Sequence, residues 1–273
     1  MAGDSPNSAP GAAGAGAERT DAEQRAGGGV AVYAAELVGT FGLVFAITAT
    51  AVAAGLQTPL AGMPFGSLSI ALVNGIVLAA MVAAVGHVSG AHLNPAVTIG
   101  LATIGRFRWR LVPGYLGAQL GGGVLAGLGT WAVEGDTARG AQHLAANSVT
   151  HGISDWRALI TEILITFLLV FVVTAVTTDP RVPPAMAPVA IGAALSAAVF
   201  IGGPITGAAV NPARALGPMI VAGSFAGWWI FLIGPLLGGL LGAGVYDRLL
   251  RSQGPATDRV EDAEHRPAGE ATR

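Results

Sequence analysis

Cysteine and lysine are both absent from this 273-residue chain, and charge of either sign is scarce. Only 11% of the residues are Asp, Glu, Lys or Arg, against roughly 25% in soluble domains. Without cysteine there is no disulfide, no thiolate metal site and no cysteine nucleophile. The formal charge of −2 comes with no basic stripe, which removes the electrostatic footprint of a nucleic-acid partner. Neither a nucleophile–base pair, a metal-ligand cluster nor a phosphate-binding loop can be found, so no enzyme chemistry, metal or cofactor is expected.

What the chain has in abundance is apolar length. Hydrophobic residues make up 52% and glycine contributes 41 positions. Between Val30 and Val133 the charged residues are Glu36, Arg106, Arg108 and Arg110, so the polar surface needed to wrap a water-soluble core is missing. A spanning helix needs about 20 mostly apolar residues. Six segments qualify, at 30–54, 67–88, 110–133, 156–178, 185–201 and 228–250. Apolar stretches after Asn94 and Asn211 are too short to cross and are expected to be re-entrant half-helices, tolerated at membrane depth where protein or a wet cavity surrounds them. Residues 1–28 and 252–273 are rich in Ala, Gly, Ser and charge. They are expected to be disordered tails flanking a channel-like unit at 29–251, and the first has no apolar core for a signal peptide. Arg106, Arg108, Arg110, Arg181, Arg248 and Arg251 fall on one side of the spans, and Arg139 and Arg157 on the other. By the positive-inside rule both termini are cytoplasmic.

The two halves are related. Ala35-Glu36 through Thr40-Phe41-Gly42-Leu43-Val44-Phe45 recurs 126 positions later as Thr161-Glu162 through Thr166-Phe167-Leu168-Leu169-Val170-Phe171. In a register of 117, Gly75 pairs with Gly192, Ser89 with Thr206, Ala91 with Ala208 and Asn94-Pro95-Ala96 with Asn211-Pro212-Ala213. Three spans per copy is an odd number, so the second copy inserts upside down, in repeats at about 30–133 and 156–250. Gly75, Gly192, Gly117, Gly121, Gly238 and Gly242 are candidate points of close helix approach. The expected fold is an all-α membrane protein of six transmembrane helices and two half-helices in an inverted repeat.

Asn before Pro is a helix start, since the amide caps and Pro suits the first helical position. Two such starts meeting tip to tip bring both positive helix ends to the midplane. The amides of Asn94 and Asn211 would then offer donors in an otherwise apolar passage, turning water so as to break a proton wire. Arg214 follows the second motif in an uncharged stretch; it is read as facing the pore, the alternative being an Arg that snorkels to the interface. Glu36 and Glu162 are either a proton-coupling pair or acids that hold the half-helix loops by accepting backbone N–H bonds; the second reading is adopted. His92 either contributes to the lumen or hydrogen-bonds the loop, and the same choice stands for His87. Trp228-Trp229 reads as an interface anchor.

Ser89-Gly90-Ala91-His92-Leu93-Asn94-Pro95-Ala96-Val97-Thr98 and Gly207-Ala208-Ala209-Val210-Asn211-Pro212-Ala213-Arg214 resemble the two signature loops of the aquaporin, or major intrinsic protein, family. The resemblance covers about 30–250. It implies an hourglass fold, one pore per subunit, a homotetramer, and passage of water and small neutral solutes. The family's four-position constriction falls here on Asn74, Val199, Ala208 and Arg214. Strict water channels of the family carry an aromatic residue and a His at the first two, so a relaxed filter admitting glycerol, urea, ammonia or hydrogen peroxide is expected. Ala215 and Phe231 depart from the glycerol-facilitator pattern, whereas Leu232 resembles it. Competing classes are a coupled secondary transporter and a membrane scaffold. The Arg-only, Ala/Gly-rich composition suggests a bacterial cytoplasmic membrane.

Overall fold

Helix length and apolarity here far exceed what a soluble core requires, and among the described residues six helices are long and apolar enough to cross a membrane. The computed structural model describes residues 29–57, 59–60, 63–64 and 66–250. The expected tails at 1–28 and 252–273, and Arg251, lie outside the described residues. In chain order the elements are α1 (Val30–Gly55), a hairpin of β1 (Pro59–Leu60) and β2 (Met63–Pro64), α2 (Ser67–Ser89), α3 (Pro95–Thr103), α4 (Val112–Gly140), α5 (Asp155–Thr178), α6 (Ala187–Thr206), α7 (Pro212–Ala222) and α8 (Ile230–Val245), the last continued by a π-helical turn over Tyr246–Leu250. The half-helices α3 and α7 have 9 and 11 residues, about half of a membrane crossing.

The boundaries differ from the sequence expectation in three places. The third span continues past residue 133 to Gly140, with a break at Gly135 (φ 77°, ψ −170°) that only glycine adopts freely. The fifth runs to Thr206 through Pro204, because a proline this close to the helix end removes one i−4 hydrogen bond without stopping the chain. It ends instead at Gly207, whose φ of 71° is the left-handed helix terminator. The sixth starts at Ile230, so Trp228 lies exposed ahead of it while Trp229 packs beside Ala158, Leu159 and Ile230.

Packing follows a two-fold scheme. Helix α1 packs on α2 and α4 as α5 packs on α6 and α8, α4 holds α7 as α8 holds α3, and α2 crosses α6. The crossing is reciprocal: a Cβ on Gly75 would strike the Gly192 carbonyl, and a Cβ on Gly192 the Gly75 carbonyl. Ser196 Oγ, one turn further along α6, donates to the Ala71 carbonyl at 3.0 Å. Close approach on α4 is made by Gly122 and Gly123, which abut Leu37 and Ala213; on α8 Gly238 and Gly239 abut Ile163 and Ala96. Of the expected glycines Gly242 also lies against Phe167, but Gly117 faces open space and Gly121 meets only the Leu37 side chain at ordinary distance. The 3.6-residue turn brings the next two positions of α4 to the neighbouring backbone instead. Outward faces carry exposed apolar residues such as Leu72, Ile76, Leu164, Phe200 and Leu241, a surface suited to lipid.

Candidate pore and filter

Each half-helix begins as its sequence dictates. Asn94 Oδ1 accepts from Ala96 N at 2.8 Å, and Asn211 Oδ1 from Ala213 N at 2.9 Å and Arg214 N at 3.3 Å, with Pro95 and Pro212 in the first turns. The same amides then cross to the opposite repeat. Asn94 Nδ2 donates to the Val210 carbonyl at 3.0 Å and Asn211 Nδ2 to the Leu93 carbonyl at 2.8 Å. An amide nitrogen carries two hydrogens, so one from each Asn ties the tips together and the other is left for the cavity that both residues line. Pro95, Ala96, Pro212 and Ala213 are buried behind them and are not among the residues lining that cavity.

The loops that lead into these tips are strained in matched positions. Ala91 and Leu93 have φ of 47° and 51°, and Ala208 and Val210 have 47° and 57°. Such left-handed non-glycine residues cost about 1–3 kcal/mol each and need support. Support comes from the two buried acids. Glu36 accepts from His92 N (2.9 Å), Leu93 N (2.7 Å), Ser89 Oγ (2.7 Å) and Gln119 Nε2 (2.8 Å), and Glu162 from Ala209 N and Val210 N, both at 2.9 Å. Successive N–H groups in alternating right- and left-handed conformation form a concave nest for an anion; a side-chain carboxylate fills each nest here.

His92 does both things left open from sequence, and so joins the loop to the lumen. Thr98 Oγ1 donates to the Asn94 carbonyl at 3.1 Å and accepts from Gln119 Nε2 at 2.9 Å. Its single proton is thereby used, and the 3.1 Å contact to His92 Nδ1 makes that nitrogen the donor. Nε2 is then an acceptor, on a ring that lines the cavity and packs edge-on against Phe107. His87 lines the cavity as well.

That cavity has a volume of about 600 Å³ and reaches from Arg106, Arg108 and His87 at one face, past both Asn tips, to Arg214. Of the four positions expected to form the constriction, Asn74, Ala208 and Arg214 line it. Val199 is buried and is not among the lining residues. Arg214 is buried, and its Nη1 donates to the Ala145 carbonyl at 3.3 Å and to Asn147 Oδ1. Asn147 was not anticipated. It lies in the connector before α5, and its Nδ2 anchors on the Thr206 carbonyl at 3.0 Å; nothing in its flanking Ala145-Ala146 and Ser148 marks it. In the 117 register Arg214 corresponds to Val97, so the two-fold scheme is broken at one point: α3 carries no charged side chain where α7 carries Arg214.

A family model described as major intrinsic protein matches residues 28–246, which spans the described helices and both tips. The chain belongs to the major intrinsic protein family. Aquaporin NIP1-3 of Oryza sativa subsp. japonica is 42% identical over 213 residues, covering 78% of this chain and 71% of that one. Nodulin-26 of Glycine max is 40% identical over 229 residues, 84% and 81% of the two chains. Among solved structures, an aquaglyceroporin from Plasmodium falciparum matches with a TM-score of 0.72 at 26% identity, covering 81% of this chain and 96% of that one. Members of the major intrinsic protein family are channels, and this chain is a multi-pass membrane channel rather than an enzyme. The two curated relatives are plant proteins, which lends no support to the bacterial source expected from composition.

Proposed function

We propose that the chain is a passive channel for water and small neutral solutes, whose pore passes between Asn94 and Asn211 and narrows at Asn74, Ala208 and Arg214. The observation that carries this reading is the reciprocal pair of amide bonds between the tips, which leaves one free N–H from each Asn in the cavity. A water molecule there accepts two hydrogen bonds and has its own protons directed away from its neighbours' wire. The converging positive ends of α3 and α7 and the fixed Arg214 repel cations, as is general for aquaporin-type pores. Small side chains beside Arg214 support a relaxed filter, and the likeness to an aquaglyceroporin supports solutes larger than water. Coupled transport is disfavoured because Glu36 and Glu162, the acids available for it, are already occupied by backbone N–H groups.

The pore domain is taken as 29–251, with inverted repeats at about 30–133 and 156–250. The arginine asymmetry supports cytoplasmic placement of both termini; residence in the plasma membrane is part of the same proposal, and the family resemblance supports assembly as a homotetramer. Stopped-flow osmotic shrinkage of proteoliposomes tests the central claim. Water flow well above that of empty liposomes, with accelerated glycerol or urea entry, is the expected result. No acceleration from folded, inserted protein would remove the channel reading, and rejection of every solute but water would remove the relaxed filter.

A further inference from the structure

Asn74 stands where the family resemblance leads to an aromatic residue, and its contacts give it a definite polarity. Its Nδ2 donates to the Ile70 carbonyl at 2.8 Å. A carbonyl can only accept, so the amide orientation is settled by chemistry and the oxygen lies on the other side. That oxygen is not among the buried polar atoms without a partner, and the residue lines the cavity; Oδ1 is therefore presented to the lumen. The backbone that carries it is held next door, where Gly75 abuts Gly192 at the α2–α6 crossing.

Across the same cavity Arg214 has Nη1 engaged by Asn147 and Ala145, and Nε buried, which leaves Nη2 as its donor to the lumen. The intervening wall is apolar, with Ile47, Ile191, Leu195 and Ala208. A solute in this passage has a donor to meet on one side and an acceptor on the other.

Resting on the channel reading above, we propose that Asn74 is a specificity-determining residue that favours donor-rich neutral solutes, urea and small primary amides, over polyols. Urea carries four N–H donors and one carbonyl, and it cannot turn its donors inward. Dehydrating it in an apolar passage leaves N–H groups unpaired unless the wall accepts them, and unpaired polar groups are costly. Its carbonyl meets Arg214 Nη2 and an N–H meets Asn74 Oδ1. Glycerol has as many acceptors as donors on freely rotating hydroxyls and depends less on a wall acceptor.

The test is the ratio of urea to glycerol permeability in proteoliposomes of the full chain, so that a general change in conductance cancels. Wild type is compared with Asn74→Leu, which keeps the width and removes the acceptor, and Asn74→Ala, which removes the acceptor and widens the passage. The expected result is a ratio lower by about five- to tenfold in both variants, the scale of one lost hydrogen bond, with water flow above that of empty liposomes confirming insertion. A ratio unchanged in both, a ratio that follows width alone and changes only in Asn74→Ala, or a wild type that conducts water but no urea would overturn the proposal. Failure of wild type to conduct even water would instead overturn the channel reading beneath it.

Discussion

At the scale of single residues, the filter depends on a side chain that approaches from outside either repeat. Arg214 is buried at the start of α7 with its guanidinium steered by Asn147 and Ala145. A long side chain has roughly 2 kcal/mol of rotamer entropy, and a fixed direction toward the lumen therefore needs an acceptor to hold it. Asn147→Ala removes that acceptor, along with one bond to the Thr206 carbonyl at the end of α6. Glycerol permeability relative to water should rise several-fold in reconstituted vesicles, with thermal unfolding in detergent shifted only slightly. An unchanged ratio would mean that the Ala145 carbonyl is sufficient. The chemistry of Asn94, Asn211 and Arg214 was legible in the sequence, because Asn-Pro at a helix start and an Arg in an uncharged run each leave few physical options. Asn147 and the acceptor polarity of Asn74 were not, since both depend on which carbonyl happens to lie within reach.

At the scale of elements, the ends of α5 and α8 are fastened at the face that also bears Arg106 and Arg108. Asp179, directly after α5, accepts from Arg181 Nε at 2.8 Å, Arg181 Nη2 at 2.5 Å and Tyr246 Oη at 2.7 Å. Hydrogen bonding from the Arg181 guanidinium, helped by Tyr246, holds the Asp179 carboxyl below the usual carboxylate range against the opposing effect of burial. A depressed folded-state pKa stabilises the fold above the unfolded value of about 4 and is lost as pH falls through the lower folded value. Asp179→Asn should thus be less stable than wild type at pH 7, and the gap should begin to narrow only once pH is taken below about 4, toward 3 and beyond. Thermal unfolding of both proteins in micelles across that range checks it; a gap independent of pH would refute the linkage. Elsewhere, element positions were read well from apolar length, and boundaries less well. The fifth span was expected to end at 201, yet α6 continues through Gly202-Gly203-Pro204, where Ile165 and Ala208 both lie against Gly202.

At the scale of the whole molecule, the two-fold relation is what makes a pore possible at all. Each half-helix is too short to cross and is held from one side by the acid of its own repeat and from the other by the opposing Asn. Neither repeat supplies both supports alone. The pore also contains no thiol, since the chain has no cysteine, and Ala208 lines its cavity. Mercurials should leave water conductance in stopped flow unaffected; rapid block reversed by a thiol reagent would contradict this.

Sequence alone determined the membrane class, the six spans, the duplicated Asn-Pro-Ala starts and the pairing of Glu36 with Glu162, because apolar length, helix-start chemistry and repeat register are local or periodic properties of the chain. Tertiary structure decided which glycines of α4 touch a neighbour, that Val199 is not among the residues lining the cavity, that Asn147 bonds Arg214, and that the Asn74 amide nitrogen is spent on the Ile70 carbonyl. Those outcomes rest on helix rotation and on contacts between residues tens of positions apart, and a difference of one position along a helix turns a side chain by about 100°.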